Sequence, residues 1–391
     1  MHIDNSSDQN AVIGFHKRSI RGVGANGRTV PQLRFRTIED VAELNRVEQE
    51  WNSLLEASTS NGLFLSWEWM SLWWRHFGGG RRLRVMEVRN GETLLALLPM
   101  CIVSGRIEFL GTGSVGSDYL DAIVHAAHEP AVNTAIVEML KDTGRIMRFG
   151  QLGSNAAVQT VAERLARNGY RIVERPTGIC PYLTLDGLTW DGFLSSLGQS
   201  HRENVRRRIR QLEKTGATFE MTTTEAERGR NLQILFALHA RCWEKRGGSD
   251  AFHTSELISF HEEFSRLALD RGWLRLFVLR VNGKPAAAVY GFHRNGKFYF
   301  YQSGFDPDFG NSSVGLVALA LTIRHAIAEK AIEFDFLHGN EEYKFRWTRN
   351  SRDLKCIEAY PPTFAGSVAM QWNQAARATR RMARYVIPRH R

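Results

Sequence analysis

The sequence predicts a mixed α/β fold that is built from two similar domains. The chain has 391 residues, which is more than one hydrophobic core usually serves, so two domains are expected. Hydrophobic residues make up 43% and aromatic residues 10% of the chain, a composition typical of soluble globular proteins. A pattern of short strands near residue 83 also recurs near residue 274, which indicates an internal repeat.

Each copy of the repeat begins with a hairpin. Residues 83–100 resemble residues 274–292, and both contain an Asn-Gly pair, the preferred two-residue hairpin turn. A further strand follows each hairpin, at 106–110 in the first copy and at 297–301 in the second. The repeat therefore predicts the same mixed sheet twice.

The repeat divides the chain into four parts. Residues 1–32 lack periodicity and are predicted to be a disordered leader. The two α/β domains are predicted at 33–185 and 186–360. Residues 361–391 form a basic tail with six arginines and no acid, which supplies six of the ten net positive charges. The tail is either a basic amphipathic helix or a disordered basic end.

Apolar spacing predicts the helices of the first domain. Residues 41–55 have helical periodicity, and residues 133–140 are also predicted to be helical, before a strand at 146–152. The segment 64–77 contains tryptophans at Trp67, Trp69, Trp73 and Trp74. Their spacing favours a helix that faces the core, and a carbohydrate-stacking surface is the alternative.

A strongly basic helix is predicted at 200–216. Ser200 and Glu203 have the spacing of a capping box, and Gly216 is predicted to end the helix. Arg206 and Arg207 lie away from its apolar stripe. They form either a solvated basic face or an anion-binding face, because guanidinium groups bind phosphate bidentately.

The segment 298–347 predicts a parallel crossover unit. A strand at 298–302 is followed by a polar loop at 303–312, a helix from Ser313 and a second strand at 332–337. The amides at the start of such a helix can bind phosphate or pyrophosphate. Ser312, Ser313 and Gly315 would bind the anion there, although an ordinary capped helix would have the same pattern.

Several short motifs carry a resemblance to a known family. They are, in chain order, Ser200 with Arg206-Arg207, Arg241-x-Trp243, Gly247-x-Ser249-x-x-Phe252, Gly304-Phe305-Asp306-Pro307, Ser313-x-Gly315, Phe334-Asp335-Phe336 and Gly339-x-Glu341-x-Tyr343-Lys344-x-x-Trp347. This order resembles the BioF-like (CelD-type) acyltransferases of the GNAT superfamily, over roughly residues 40 to 360.

The resemblance implies a tandem GNAT-like fold with acyl-CoA, acetyl-CoA or longer, as donor. The separated cysteines and scattered histidines independently predict no metal site. The acceptor would be an amine or hydroxyl group, in envelope polysaccharide or lipid-linked biosynthesis. It also implies that Trp243, Ser249, Phe252 and Trp347 bind the substrate. The FemAB-type peptidyltransferases, which use aminoacyl-tRNA, are distant relatives of this family.

Acyl transfer needs a base and an acid. The candidate bases are Asp335, Glu341 and His338. Tyr343 is the candidate acid, and Lys344 is a further candidate catalytic residue. Each has a structural alternative. Glu341 and Lys344 have the spacing of an ordinary helix ion pair, and Asp335 could cap the turn after its strand.

Three functions remain open at this point. The first is acyl transfer from acyl-CoA, the second is transfer from aminoacyl-tRNA bound by the basic helix and tail, and the third is a non-catalytic binding module. Four widely separated cysteines and no apolar leader segment favour a cytoplasmic protein without a zinc or disulfide framework. The basic tail also predicts contact with an anionic membrane surface or with tRNA.

Overall fold

The computed structural model describes residues 18–19, 33–113, 115–244 and 251–386. The strands are β1 (Arg18–Ser19), β2 (Leu33–Ile38), β3 (Arg82–Leu83), β4 (Val85–Asn90), β5 (Thr93–Leu98), β6 (Met100–Val103), β7 (Arg106–Phe109), β8 (Ile123–Val124), β9 (Met147–Leu152), β10 (Arg171–Thr184), β11 (Thr218–Met221), β12 (Leu274–Val281), β13 (Lys284–Arg294), β14 (Lys297–Phe305), β15 (Glu333–Asp335) and β16 (Ser351–Tyr360).

The helices surround these strands. They are α1 (Val41–Arg46), α2 (Glu48–Glu56), α3 (Trp67–Phe77), α4 (Glu129–Lys141), α5 (Ala157–Arg167), α6 (Trp190–Ser196), α7 (Gln199–Lys214), α8 (Glu225–Glu244), α9 (Ser255–Asp270), α10 (Val314–Ala328), α11 (Glu342–Phe345) and α12 (Phe364–Val386). No helix in the described part of the chain is long and apolar enough to cross a bilayer.

Two sheets organise the chain. The smaller has five strands in the order β1-β2-β4-β5-β8, and the larger has eleven in the order β11-β12-β13-β14-β15-β10-β16-β9-β7-β6-β3. Within the larger sheet, β7 pairs with β9 and β14 pairs with β15 in parallel. Each half of the chain, residues 33–185 and residues 186–360, thus contains one parallel pair.

The two halves exchange strands at the centre of the larger sheet. The long strand β10, which ends the N-terminal half, pairs with β15 of the C-terminal half. The strand β16, which ends the C-terminal half, pairs with β9 of the N-terminal half. Because β10 and β16 also pair with each other, the two halves share one continuous sheet.

Alternate residues of the C-terminal strands face two different apolar layers, as the pleat of a strand requires. On β12, Leu276 and Val278 join a core with α8, α9 and the N-terminal half. Phe277 and Leu279 instead join a second core with α6, α7 and α10. The sheet of the C-terminal half is therefore buried on both faces.

The mixed α/β architecture predicted from the sequence is confirmed. The prediction that the same mixed sheet occurs twice is wrong, because the first hairpin, β4 and β5, lies in the smaller sheet, apart from β7 and β9. Pro99 separates β5 from β6, since proline cannot donate to a ladder.

Several details also differ. The helix predicted at 41–55 is divided at Val47, whose backbone (φ −92°, ψ 6°) separates α1 from α2. The strand predicted at 332–337 is shorter and comprises Glu333–Asp335. The segment 64–77 faces the core, where Trp69 and Trp73 are buried.

The predicted capping box is wrong. The helix α7 begins at Gln199 with Gly198 as N-cap, and no side chain caps it there. Glu203 instead accepts a hydrogen bond from the Gln199 side chain at 2.9 Å. The predicted stop is confirmed, because Gly216 follows the C-cap with a positive φ of 68°, which costs glycine little.

The ends of the chain are described in part. Of the predicted leader, residues 1–32, only β1 is described, and it pairs with β2. The tail forms α12, which is the helical alternative for this segment. The proposed boundaries near residues 185 and 360 remain a prediction.

One close contact in this fold can be tested by mutation. Where α8 crosses β14, a Cβ added at Gly304 would lie 2.4 Å from the backbone nitrogen of His239. We expect Gly304→Ala to lower the free energy of unfolding by about 1–3 kcal/mol, because a backbone cannot yield as a side chain does. Urea denaturation of the purified variant measures this.

Gly310 supplies the control for this measurement. A Cβ added there meets nothing within 4 Å, so Gly310→Ala should change stability by less than about 0.5 kcal/mol. Equal stability of the two variants would contradict the close packing of α8 on β14.

Candidate active site

The start of α10 lies just beyond the carboxyl end of β14. Between them, residues 307–312 form a 3-10 turn, and Ser313 takes the N-cap position in the left-handed region (φ 52°, ψ 41°). The Ser313 side chain makes no capping hydrogen bond, and the first turn of α10 contains no acidic residue. The first amides of this 15-residue helix therefore remain available to an anion.

A wedge opens between β14 and the chain that follows β15. The two strands pair only from Lys297↔Glu333 to Tyr299↔Asp335. Beyond this point β14 stays paired with β13 as far as Phe305. The chain after β15 instead stays beside β10, since the Gly339 amide donates to the Ile179 carbonyl oxygen at 3.0 Å. The strands therefore diverge towards the start of α10.

A carboxylate from the N-terminal half reaches the wall of this wedge. Asp118, in the segment between β7 and β8, is buried and accepts a hydrogen bond from the His338 amide at 2.7 Å. Its other oxygen, Oδ1, has no hydrogen-bond partner among the described residues. Burial raises the pKa of Asp118 to about 6, although the His338 amide lowers it.

Sequence reasoning missed Asp118. Its position in the repeat could have indicated it. The segment after β7 in the first copy of the repeat corresponds to the segment after β14, next to the wedge, in the second copy. Cys180 of β10 lies 3.9 Å from the Asp118 carboxylate. The wedge is thus lined from both halves of the chain.

Glu341, Tyr343 and Lys344 lie together around α11. Lys344 is buried, and its Nζ donates to the His338 carbonyl oxygen at 2.9 Å and pairs with Glu341 Oε2 at 2.9 Å. The Glu341 carboxylate lies over Gly339, where an added Cβ would be 2.3 Å from Oε2. Lys344 therefore fixes the Glu341 carboxylate in the manner of the helix ion pair considered above.

Tyr343 lies close enough to the end of α8 to interact with it electrostatically. Its side chain is 39% exposed. Desolvation, together with the nearby Glu341 and Cys242, raises the pKa of the Tyr343 phenol above its usual value. The hydroxyl therefore keeps its proton at neutral pH and can serve as a donor.

Asp335 faces the opposite side of the sheet from α10. Its neighbours Phe334 and Phe336 pack in the core with α10, whereas Asp335 accepts a hydrogen bond from Tyr119 at 2.7 Å and one from the Leu337 amide at 2.7 Å. The second bond is the turn-capping role considered above. Burial raises the pKa of Asp335 to about 7, although the Tyr119 hydrogen bond lowers it.

Asp335 lines a cavity between the two halves, with a volume of about 300 Å³. The charged and phenolic residues around it are Lys297, Arg352, Asp121, Asp335, Tyr119 and Tyr299. Residues 59–62 and 153–156 of the N-terminal half complete the lining. The structure therefore separates Asp335 from Glu341 and Tyr343, with which sequence reasoning had grouped it.

The basic helix α7 packs against α10 and against the 3-10 turn before it. Arg206 and Arg207 are exposed; Arg206 lies 3.4 Å from Asp191, and Arg207 donates to Asn204 at 3.0 Å. Arg207 and Trp347 line an open cleft of about 1260 Å³. This cleft places cations on the face of the sheet that α6, α7 and α10 cover.

The residues named as substrate-binding occupy different environments. Trp347 is buried at this cleft, with its ring centroid 4.7 Å from that of His201. Phe252 has a positive φ of 56° and packs on Phe236 with ring centroids 4.7 Å apart. Trp243 lies at the end of α8, and Ser249 lies outside the described residues.

These features belong to a mixed α/β fold, and comparison with known proteins identifies this fold as GNAT-like. Residues 199–345 match the family model described as an acetyltransferase (GNAT) domain. That span contains α7, the wedge, the start of α10 and α11. No curated protein matches the chain.

Solved structures match the chain over most of its length. The structure of FemX has a TM-score of 0.57 at 11% identity and covers 78% of this chain and 95% of its own. The C-terminal DUF2156 domain of an Agrobacterium fabrum protein has a TM-score of 0.52 at 12% identity, covering 86% and 96%. The L-PGS of Bacillus licheniformis has a TM-score of 0.51 at 15% identity, covering 85% and 95%. At these identities the likeness concerns the fold, and the predicted tandem GNAT-like fold is confirmed.

The raised pKa of Asp335 predicts a pH-dependent stability. An unfolded aspartate titrates near 4, so between about pH 4 and pH 7 the folded chain holds a proton that the unfolded chain has lost. This contribution to stability decreases as the pH rises through that window. Asp335→Asn cannot ionise, so its stability relative to the wild type should increase by about 1–2 kcal/mol between pH 5 and pH 8.

Urea denaturation at both pH values measures this difference. Asp353→Asn, at an exposed position on β16, is the control and should show no such increase. A constant difference between Asp335→Asn and the wild type would show that the Asp335 carboxyl does not titrate in this window.

Proposed function

We propose that the protein transfers an acyl group from acyl-CoA to an amine or hydroxyl acceptor. The observation that carries this proposal is the start of α10, whose first amides are uncapped at the open end of the wedge, within the segment that matches the GNAT domain. A helix start of this kind favours phosphate groups, and the diverging strands provide space for an extended chain leading away from them.

The pyrophosphate of the donor would bind at Ser312, Ser313 and Gly315. Arg206 and Arg207 of the adjacent α7 would add positive charge from the side, since guanidinium groups bind phosphate oxygens bidentately. Gly315 also serves the fold, because a Cβ there would lie 3.2 Å from the Phe305 ring. A charge introduced at Ser312 is therefore a cleaner probe of the site than a substitution of Gly315.

In the proposed reaction, the acceptor nitrogen or oxygen attacks the thioester carbonyl carbon. A new C–N or C–O bond forms, the C–S bond breaks, and the proton of the acceptor must be removed as the thiolate leaves. We assign the base to Glu341, held by Lys344, and the proton donor for the thiolate to Tyr343. Asp118 is the alternative base from the N-terminal half, since its Oδ1 is unpartnered among the described residues.

The remaining candidates concern the acceptor. Trp243 and Phe252 lie near the end of α8, where Tyr343 also lies, and we propose that they contact the acceptor together with Ser249 and Trp347. Asp335 would act as base only for an acceptor that enters through the cavity between the halves. The assignment of the acceptor to envelope polysaccharide or lipid-linked biosynthesis rests on the resemblance to BioF-like acyltransferases alone.

Transfer from aminoacyl-tRNA is the second candidate. The observation in its favour is the basic surface of α7, on which Arg206, Arg207 and Arg210 are exposed; such a surface suits a nucleic-acid backbone. Parallel binding measurements with acetyl-CoA and with charged tRNA distinguish the two. Tight, salt-dependent binding of tRNA without CoA binding would favour the second candidate, and binding of neither donor would favour the non-catalytic module.

The position of the donor can be tested at Ser312. Ser312→Glu places a carboxylate before the start of α10, where it satisfies the helix dipole but repels a pyrophosphate. We expect the affinity for acetyl-CoA, measured by calorimetry, to fall by about tenfold or more, while the melting temperature is unchanged or higher. Ser312→Gln introduces a side chain of nearly the same shape as glutamate without its charge, and should bind acetyl-CoA more tightly than Ser312→Glu. Equal affinity in both variants would place the phosphates elsewhere.

The base is tested at Glu341 with its neighbour as control. Glu341→Gln should retain donor affinity and lose turnover by about 10²-fold, because it removes a general base and little volume. Glu342→Gln changes the adjacent carboxylate, which is exposed and pairs with Arg346 at 3.3 Å, and should leave turnover unchanged. Thiol release from acetyl-CoA with a panel of amines measures both. Full turnover in Glu341→Gln would exclude Glu341 from the chemistry.

A further inference from the structure

The helix α12 docks on the body of the protein through its polar side. Arg377 pairs with the buried Glu358 of β16 at 2.7 Å. Asn373 donates to the Tyr360 hydroxyl at 3.1 Å and accepts from Arg106 at 3.1 Å. Positions 373 and 377 are four residues apart and share one face of a helix. This face holds α12 against the larger sheet.

The opposite side of α12 exposes large apolar side chains. Phe364 is 87%, Val368 48% and Trp372 75% exposed. These residues are spaced by four, so they form one stripe along the helix, and Ala375 and Thr379 continue it as exposed residues. Exposed apolar side chains that lie side by side mark an interaction surface rather than a random scatter.

The charge of the tail indicates which kind of partner the apolar stripe of α12 binds. Residues 361–391 contain six arginines and no acid, so a second copy of this helix would bring like charge to the same place. An anionic lipid surface has a charge opposite to that of the tail. Its apolar interior can also accommodate the exposed apolar side chains. A helix that carries exposed aromatic side chains and several arginines is typical of segments that lie in the membrane interface.

We propose that α12 docks the protein on an anionic membrane surface, lying in the plane of the interface with Phe364, Val368 and Trp372 among the lipid chains. This proposal concerns a surface outside the candidate active site and does not depend on the proposed reaction. RNA would use the arginines but would have no need of an aliphatic side chain such as Val368 in the contact. The apolar stripe therefore favours lipid.

The experiment uses the full-length protein with vesicles of phosphatidylcholine, alone or mixed equally with phosphatidylglycerol. Substitution is preferred to truncation, because removal of the tail would leave the buried Glu358 without Arg377. The test variant combines Phe364→Ser, Val368→Ser and Trp372→Ser, which keep every charge. The control combines Val41→Ser and Leu188→Ser, at positions that are 47% and 37% exposed on other surfaces.

We expect the wild type and the control to sediment with the anionic vesicles, and to bind less at high salt. The affinity of the triple variant should fall by about tenfold or more, with an unchanged melting temperature because the three side chains are exposed. Equal vesicle binding by the triple variant and the wild type would overturn the proposal.

Two further outcomes would also overturn it. One is self-association of the wild type without lipid that the triple variant loses, which would identify a second copy as the partner. The other is salt-dependent binding of RNA, equal in both proteins and without vesicle binding, which would make the tail a nucleic-acid contact.

Discussion

The antiparallel pairing of β10 with β16 is the constraint on which the rest of the structure depends. The register runs from Arg171↔Tyr360 to Pro181↔Ser351 with one irregularity. Each strand of this pair also joins the parallel pair of the other half: β10 pairs with β15, and β16 pairs with β9. The pair therefore determines where the wedge between β14 and β15 lies in the protein. It also positions α12, which follows the end of β16.

The same arrangement brings buried acids together between the halves. Asp118, Asp121 and Asp335 are all buried, and burial raises the pKa values of all three. Asp121 is stabilised by the amides of Ala157 and Val158 at the start of α5, and Asp335 by Tyr119. Carboxyl groups in such positions cost stability at neutral pH, and perturbed pKa values of this kind are typical of functional sites.

The sequence predicted those features that depend on neighbouring residues. The turn at Asn282-Gly283 has positive φ at both positions, 50° and 75°, as an Asn-Gly pair favours. The helix α10 could also be predicted, since it follows from local apolar spacing. Its uncapped start could not, because Ser313 is a residue type that commonly caps a helix. The grouping of Glu341 with Lys344 could likewise be predicted from their separation along the chain.

Features that depend on distant residues could not be predicted in this way. The pairing of β10 with β16 joins residues up to 189 positions apart, and nothing in either strand identifies its partner. Asp118 reaches the wedge across 220 positions of sequence, to His338. Asp335 was grouped with Glu341 because the two are close in sequence, although the alternation of side chains along β15 sends Asp335 to the other face.

The central position of β16 has a consequence for the order in which the chain folds during synthesis. The strand β9 is made early, yet its antiparallel neighbour, Ser351–Tyr360, is synthesised only after residues 153–350. Until then β9 has an unpaired edge, which is the kind of surface that invites pairing with other chains. Contacts so distant in sequence also slow folding. The N-terminal half thus completes its sheet only after β16 has been synthesised, and chains that stall before β16 would be prone to aggregate through that edge.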